Sequence, residues 1–342
     1  MLNEDIHCRE VLRCPICNHT GDILYKNQKD RLYGATGVWD INKCTNNHCE
    51  SIWLNPCPED KDLYKLYSNY STHGTPVHKN NLRGLFAKIR RAVLHEELDY
   101  PTDQNKFTTF IYNALSHLHP AWRDTQLANV FYLPAKTDGK LLDIGCGNGS
   151  SMLVMQSNNW DVTGIDFDKS AVSQAQSVGL NAKVNDLHTA NYPDNSFDAI
   201  MMNHVIEHVP NPEEFLHECL RILKPNGVLT AMTPNAKAKG HSKFKEDWRG
   251  LEIPRHLQIF TPKSLALLAN KIGFKQTKGF SSTQGILQIY DESAYCYKNG
   301  NFDLSLSSTK NKYVYHVRWF ISGWRHKITP EVSEVAVLKC IK

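Results

Sequence analysis

Leu141-Leu-Asp-Ile-Gly-Cys-Gly-Asn-Gly149 is the stretch that decides how this chain is read. A buried apolar strand from Lys140 runs into a loop with glycines at 145, 147 and 149. Glycine lets a backbone turn sharply out of a strand and approach a ligand closely. Downstream, Asp161-Val-Thr-Gly-Ile165 reads as a second strand, closed by Asp166. Asp168 is the expected cap of a helix that Gly179 stops. Phe197-Asp-Ala-Ile-Met-Met202 is another strand. Asn211 caps the next helix, with Pro212 in its first turn and Glu213 and Glu214 complementing the helix dipole. That helix is expected to end at Lys224-Pro-Asn-Gly227, before a strand over 228–233. Thr261-Pro262 opens one more helix, which Gly273 closes. Strand and helix patterns alternating in this way predict an α/β, doubly wound, mostly parallel sheet.

The loop's details bear on the cofactor. Asp166 ends the second strand, where a carboxylate can accept both ribose hydroxyls of a nucleotide. A dinucleotide site would carry G-x-G-x-x-G, but here Ser150 follows a G-x-G-x-G pattern. Asp143, just before the loop, would repel a pyrophosphate seeking the helix N-terminus. It suits a cofactor with no phosphate, a sulfonium cation and an amino group. S-adenosylmethionine (SAM) has that chemistry.

Beyond the loop the chain resembles the class I SAM-dependent methyltransferases. Asp186-Leu187 resembles the family's adenine site after the third strand. The run from Ser196 through Asn203-His204-Val-Ile-Glu207-His208 to Pro210 resembles its fourth-strand motif. Leu223-Lys-Pro-Asn-Gly-Val-Leu229 resembles the entry to strand five, although Asn226 stands where Gly is commoner. These motifs cover about 141–282. Thr233-Pro-Asn, Trp248-Arg-Gly-Leu-Glu-Ile-Pro-Arg-His-Leu257 and Phe260-Thr-Pro262 resemble a bacterial subgroup, whose members often carry an N-terminal zinc-ribbon-like module and are associated with glycan or small-molecule pathways. The resemblance implies a seven-stranded Rossmann-like sheet and specific roles. Asp143 and the loop at Gly145, Cys146, Gly147 and Gly149 would hold the methionine end, and Asp166 the ribose. Phe167, Asp186 and Leu187 would frame the adenine, with Asn203 and His204 near the cofactor.

Methyl transfer is a displacement at a carbon already activated by the sulfonium, so the protein's task is to position a nucleophile and remove its proton. Two histidines are candidates for that removal. His208 follows Glu207 after strand four. His256 lies beside Arg255 in the loop before the Thr261 helix, with Glu252 close in sequence. Each is weighed against a histidine that is merely hydrogen-bonded in a loop. No further metal constellation is legible in the core.

The N-terminus carries different chemistry. Cys14-Pro-Ile-Cys17 is a CxxC knuckle, and Cys44-Thr-Asn-Asn-His-Cys49 is a second, wider pair. Four thiolates suit a closed, tetrahedral, structural zinc site. The longer second spacing leaves His48 as an alternative to Cys49. Cys8 and Cys57 fall outside both pairs. A module so small is expected to bury little core and to rely on its metal.

The chain of 342 residues therefore divides into a zinc-ribbon-like module over 1–70, a helical linker or lid over 71–130, and a methyltransferase domain over 131–342. In the last, 283–330 reads as an irregular aromatic cap insertion, and 335–341 as a final strand. A helix over 79–94 would present Lys79, Arg83, Lys88, Arg90 and Arg91 around an apolar stripe that includes Leu82, Leu85, Phe86, Ile89 and Val93. Packing on the core, an anionic substrate and peripheral contact with an anionic membrane all remain open for it. The same holds for 313–328, with Trp319, Phe320 and Trp324.

A net charge of +4 from 39 basic and 35 acidic residues is too mild to point to nucleic acid. The chain has no run of 18 apolar residues and no basic-then-apolar start. Its ten cysteines look reduced, which places it in the cytoplasm. The expected activity is methyl transfer to an O or C nucleophile of a small molecule or glycan precursor. The alternatives are an RNA or protein methyltransferase using the zinc module for recognition, and a non-catalytic SAM-binding scaffold.

Overall fold

Three antiparallel strands form the N-terminal sheet: β1 (Gly21–Gln28), β2 (Trp39–Cys44) and β3 (Ile52–Asn55). The structure, a computed structural model, describes residues 6–67, 83–303 and 312–342. Helices α1 (Gly84–Leu98), α2 (Lys106–Ser116) and α3 (Pro120–Ala128) come next. The central sheet then begins with β4 (Gly139–Ile144), β5 (Trp160–Asp166), β6 (Asn181–Val184), β7 (Phe197–Asn203) and β8 (Leu223–Pro234). Helices α4 (Ser150–Gln156), α5 (Lys169–Ser177) and α6 (Pro212–Ile222) link them. The remaining elements are α7 (Lys239–Phe244), β9 (Gln258–Ile259), α8 (Pro262–Ile272), β10 (Lys275–Ser282), α9 (Ile286–Asn299), α10 (Lys312–Ile328) and β11 (Val335–Ile341).

The central sheet has seven strands in the order β10-β11-β8-β7-β4-β5-β6. Strands β6, β5, β4, β7 and β8 pair in parallel. β11 inserts antiparallel between β8 and β10. The strand order reverses direction on either side of β4, so the loops leaving β4 and β7 open a crevice at the carboxyl edge. The strands are buried on both faces, as a doubly wound sheet requires: every residue from Phe197 to Met202 is buried.

Local signals set most of the helix ends. The Asp168 side chain accepts from the Ser170 and Ala171 amides, and Asn211 from the Glu214 amide. Thr261 and Ser264 cap each other reciprocally, and Gly273 ends that helix in the left-handed region. One boundary differs from expectation. α6 stops at Ile222, before the Lys224–Gly227 turn, and Leu223 already pairs with Phe197. Pro225 disfavours helical geometry at Lys224, so the chain becomes extended earlier. The segment 283–330, read as irregular, contains α9 and α10. Trp319 and Phe320 stand edge-on to His119 at the start of α3, with ring centroids 4.9 and 5.2 Å away.

The basic helix begins, among the described residues, at Gly84. Lys79 and Leu82 lie outside the described residues. Ile89, Ala92 and Val93 face inward, but Leu85 and Phe86, expected on the apolar stripe, are more than half exposed.

The N-terminal sheet buries more than its length suggested. β9 joins β3 antiparallel, Gln258 opposite Trp53 and Ile259 opposite Ile52, making a four-stranded sheet in the order β9-β3-β2-β1. Trp39, Ile41, Ile52 and Leu54 share one apolar cluster with Phe244, Trp248, Leu251, Ile253 and Ile259. Full burial of an aliphatic side chain contributes roughly 1.5–3 kcal/mol, so packing holds this sheet as well as any metal would. A buried ion pair crosses the same junction: Arg255 donates to both oxygens of Asp30, at 2.8 and 2.9 Å, with neither side chain exposed.

Candidate active site

The loop after β4 shows why glycine is needed there. Gly145 has φ 71°, and a Cβ on it would sit 2.4 Å from Val205 Cγ2 in the loop after β7. Gly147 has φ 52°, and nothing lies within 4 Å of where its Cβ would be. The backbone thus faces open space at the switch point. Asp166 accepts from the Gly147 amide at 2.8 Å and from the Asp168 amide at 2.9 Å. This tethers the carboxylate beside the loop.

Asp143 is buried at the end of β4, and one of its carboxylate oxygens has no partner among the described residues. Burial, with Asp166 nearby, pushes its pKa well above the usual carboxylate range. An uncompensated buried carboxyl is costly unless a cation reaches it. The amino and sulfonium groups of SAM are such cations, so this site fits the cofactor on its own chemistry. Phe167 is 66% exposed and free to cover a flat ring. Leu187 is buried beneath the neighbouring loop. Asp186 is exposed, its oxygens accepting from the His188 and Thr189 amides. Cys146 is buried, and Gly149 caps α4.

Asn203 ends β7, and His204 follows with φ 55°. A short helical turn then carries Glu207 and His208 back under the loop. Glu207 is fully buried. One of its oxygens contacts His204 Nδ1 at 3.1 Å, and the other has no partner among the described residues. Burial alone would raise this carboxyl. The His204 hydrogen bond and three nearby imidazoles more than offset that and hold it down at about 2. His204 is raised in return: burial opposes its charged form, but Glu207 outweighs burial.

His256 arrives from the loop before β9. Its Nδ1 lies 2.8 Å from the Gly250 carbonyl, which fixes Nδ1 as the donor and leaves the Nε2 lone pair free. Nε2 lies 3.9 Å from Glu207 and 3.8 Å from Glu252. Burial pushes its pKa down to about 4 despite Glu252, so the ring is neutral at pH 7. His208 contacts the Arg255 carbonyl through Nδ1 at 3.0 Å, and its ring lies 4.7 Å from that of His256.

The two histidines considered separately in the sequence therefore share one cluster with Glu207. Their ligand-type atoms all lie within 4.8 Å of one another. That corrects the reading that the core holds no second metal-capable constellation. Glu207, His208 and His256 could hold a divalent cation, or accept a proton together.

Two supporting residues carried no local signal. The Tyr67 hydroxyl contacts His208 Nδ1 at 3.1 Å, and its ring stands 5.4 Å from Phe167, joining the cofactor edge to the histidines. Gln258 donates to the Ile206 and Val209 carbonyls, pinning the turn that carries Glu207. Arg255, beside His256, is buried against Asp30 and Glu252.

In the N-terminal sheet, Cys14, Cys17, Cys44 and Cys49 bring their sulfurs within 4.8 Å of one another, and none is in a disulfide. Cys14 and Cys49 are 3.7 Å apart, and Cys17 and Cys44 3.4 Å. Sulfurs on a tetrahedral zinc stand about 3.8 Å apart, so the four fit that ion. The cluster includes Cys49, and His48 is not part of it.

A methyltransferase-domain family model matches residues 115–278. A ubiquinone biosynthesis O-methyltransferase of Chromobacterium violaceum is 35% identical over 177 residues, 46% of this chain and 75% of that protein. The chain belongs to the class I SAM-dependent methyltransferases. Enzymes of the same name from Alkalilimnicola ehrlichii and Azoarcus sp. are each 32% identical, over 30% of this chain. The chain spans 44% and 47% of those two relatives, about half their length. A SAM-dependent methyltransferase from Archaeoglobus fulgidus superposes with a TM-score of 0.45 at 17% identity, covering 70% of this chain and all of that one. The glycine loop, Asp166 and the Glu207 turn lie inside the matched region, while the cysteine sheet lies outside it. No helix among the described residues is long and apolar enough to cross a membrane.

Proposed function

We propose that this protein transfers the methyl group of SAM to a hydroxyl of a small molecule, with a carbon acid or a glycan precursor as the wider acceptor class. The observation that carries it is the meeting, at one sheet edge, of a buried carboxyl with an oxygen unpartnered among the described residues and the Glu207–His208–His256 cluster. Asp143 and the Gly145–Gly149 backbone hold the methionine end, and Asp166 the ribose. Phe167, Asp186 and Leu187 frame the adenine, with Asn203 and His204 beside the cofactor. SAM supplies an electrophilic methyl carbon when bound. The acceptor hydroxyl would be methylated at that carbon with S-adenosylhomocysteine leaving, and its proton would pass to the Glu207–His208–His256 cluster. Neutral His256 is the preferred receiver, because its Nε2 is unprotonated at pH 7 and faces two carboxylates. The O-methyltransferase names of the relatives support oxygen as the nucleophile.

The test is calorimetric titration with S-adenosylhomocysteine. Wild-type protein is expected to show one saturable site, and Asp166→Ala to weaken it about tenfold or more through loss of a charged hydrogen-bond acceptor. No binding by a folded protein would overturn the reading.

We also assign Cys14, Cys17, Cys44 and Cys49 to a structural zinc ion. All four positions of a tetrahedral ion are filled by protein, leaving none for catalysis. Atomic emission on purified protein should find one zinc per chain, lost in Cys14→Ser. Metal-free protein with unchanged thermal stability would refute it.

A further inference from the structure

A cavity of about 230 Å³ lies between α7, α9, α10 and the start of β11. It sits on the carboxyl edge of the central sheet. Val335 pairs with Pro234 at the end of β8, and Glu334, just before it, lines the cavity. Asn235 fixes this corner by donating to the Glu331 and Ser333 carbonyls. A chain of contacts links the cavity wall to the histidine cluster. Trp248 Nε1 donates to Glu334 at 2.8 Å, and the next residue, Arg249, pairs with Glu252, which faces His256.

Its walls combine two chemistries. Leu287 and Ile321 give an apolar lining, while Lys239, Arg318 and Arg325 bring three cations. Arg318 is paired with Asp291 at 2.8 Å. Lys239 contacts only the Thr329 hydroxyl, and Arg325 has no carboxylate partner among the described residues. Glu334 is the one carboxylate in the lining. Its oxygens accept from Trp248 and from the Gly240 amide. Burial pushes it up to about 7, so its compensating charge is only partial near neutrality. Cations gathered on a partly apolar concave surface attract an anion that also has a hydrophobic body.

We propose that this cavity receives the anionic end of the acceptor, a small molecule that joins a carboxylate or phosphate to an apolar or aromatic frame. This rests on the methyl-transfer reading above. It extends that reading by adding a recognition site on α10, outside the region that the family model matches.

The experiment uses the full chain saturated with S-adenosylhomocysteine, titrated separately with benzoate, phenyl phosphate and the neutral benzyl alcohol. Either anion is expected to bind more tightly than benzyl alcohol and to weaken as salt rises. Stronger benzoate binding would assign a carboxylate, and stronger phenyl phosphate binding a phosphate. Arg325→Ala, an exposed change that leaves the packing intact, is expected to reduce anion affinity about tenfold, the effect of losing one charged hydrogen bond. Arg318→Gln should act in the same direction. S-adenosylhomocysteine affinity should stay constant in both variants. Equal binding of benzyl alcohol and the anions, or unchanged anion affinity in both variants, would overturn the proposal. Loss of S-adenosylhomocysteine binding in the wild type would instead strike the methyl-transfer reading, since the anion titrations can be repeated without it.

Discussion

Asp143 and Glu207 are both buried carboxyl groups at the carboxyl edge of one sheet, each with an oxygen unpartnered among the described residues, yet they are driven in opposite directions. Asp143 stands at the end of β4 with another carboxylate, Asp166, as its charged neighbour, and its pKa rises. Glu207 stands after β7 among His204, His208 and His256, and its pKa falls to about 2. Equal burial thus prepares two chemistries. Among the described residues the first site is short of a cation, which in the proposed reading would arrive with the cofactor. The second is held ionised by its imidazole neighbours, and in the proposed reading its charge would stabilise a proton taken from the acceptor.

Replacing Glu207 by Gln gives the largest expected change. It keeps the shape but removes the charge, so turnover should fall about 10²–10⁴-fold, the usual range for acid–base machinery. S-adenosylhomocysteine affinity should be unchanged. Equal losses in cofactor binding would break the contrast by making Glu207 part of the cofactor site.

The pH dependence of stability sharpens the same contrast. His256 has a folded pKa of about 4 against an ordinary 6.5. Between those values the unfolded chain binds more protons, so the contribution of neutral His256 is present above pH 6.5 and is lost as pH falls toward 4. Urea unfolding at pH 7 and pH 4.5, compared with His256→Gln, should show the wild type losing about 2–3 kcal/mol more than the variant. Parallel pH profiles would show that the ring does not need to stay neutral.

Asp143→Asn should have a smaller effect, in two opposite senses. Cofactor-product affinity is expected to drop about tenfold to hundredfold with the loss of a charged acceptor. The raised folded pKa of Asp143 means that its contribution to stability is lost as pH rises toward that value. The neutral amide avoids this, so the variant should melt at a higher temperature than the wild type at pH 8. A lower melting temperature would mean that Asp143 has a cationic partner in the free protein, and the contrast with Glu207 would disappear.

Much of the cofactor half was legible because its signals are local. The glycine loop, the acid closing β5 and the caps at Asp168, Asn211 and Thr261 each depend on residues within a few positions. α9 and α10 were read as irregular because aromatic and polar residues mix along them without a clean stripe, and tertiary packing on α3 supplies what periodicity lacks. The proton-accepting cluster was legible only in parts. Glu207 and His208 were visible beside each other, and His256 beside Arg255, but nothing in the spacing told that both pairs share one pocket. Tyr67 sent no signal at all, since a tyrosine ending a short helical turn resembles any other.

By itself, then, the sequence determined the alternating strand–helix order, the open glycine loop and the thiol pairs, because each is set by backbone freedom, capping or spacing between near neighbours. Only the tertiary structure decided that β9 would complete the N-terminal sheet, that Arg255 would be sealed against Asp30, and that Glu207 would meet His256. Those contacts join residues far apart in the chain, where burial and charge compensation choose the partner and no local pattern records the choice.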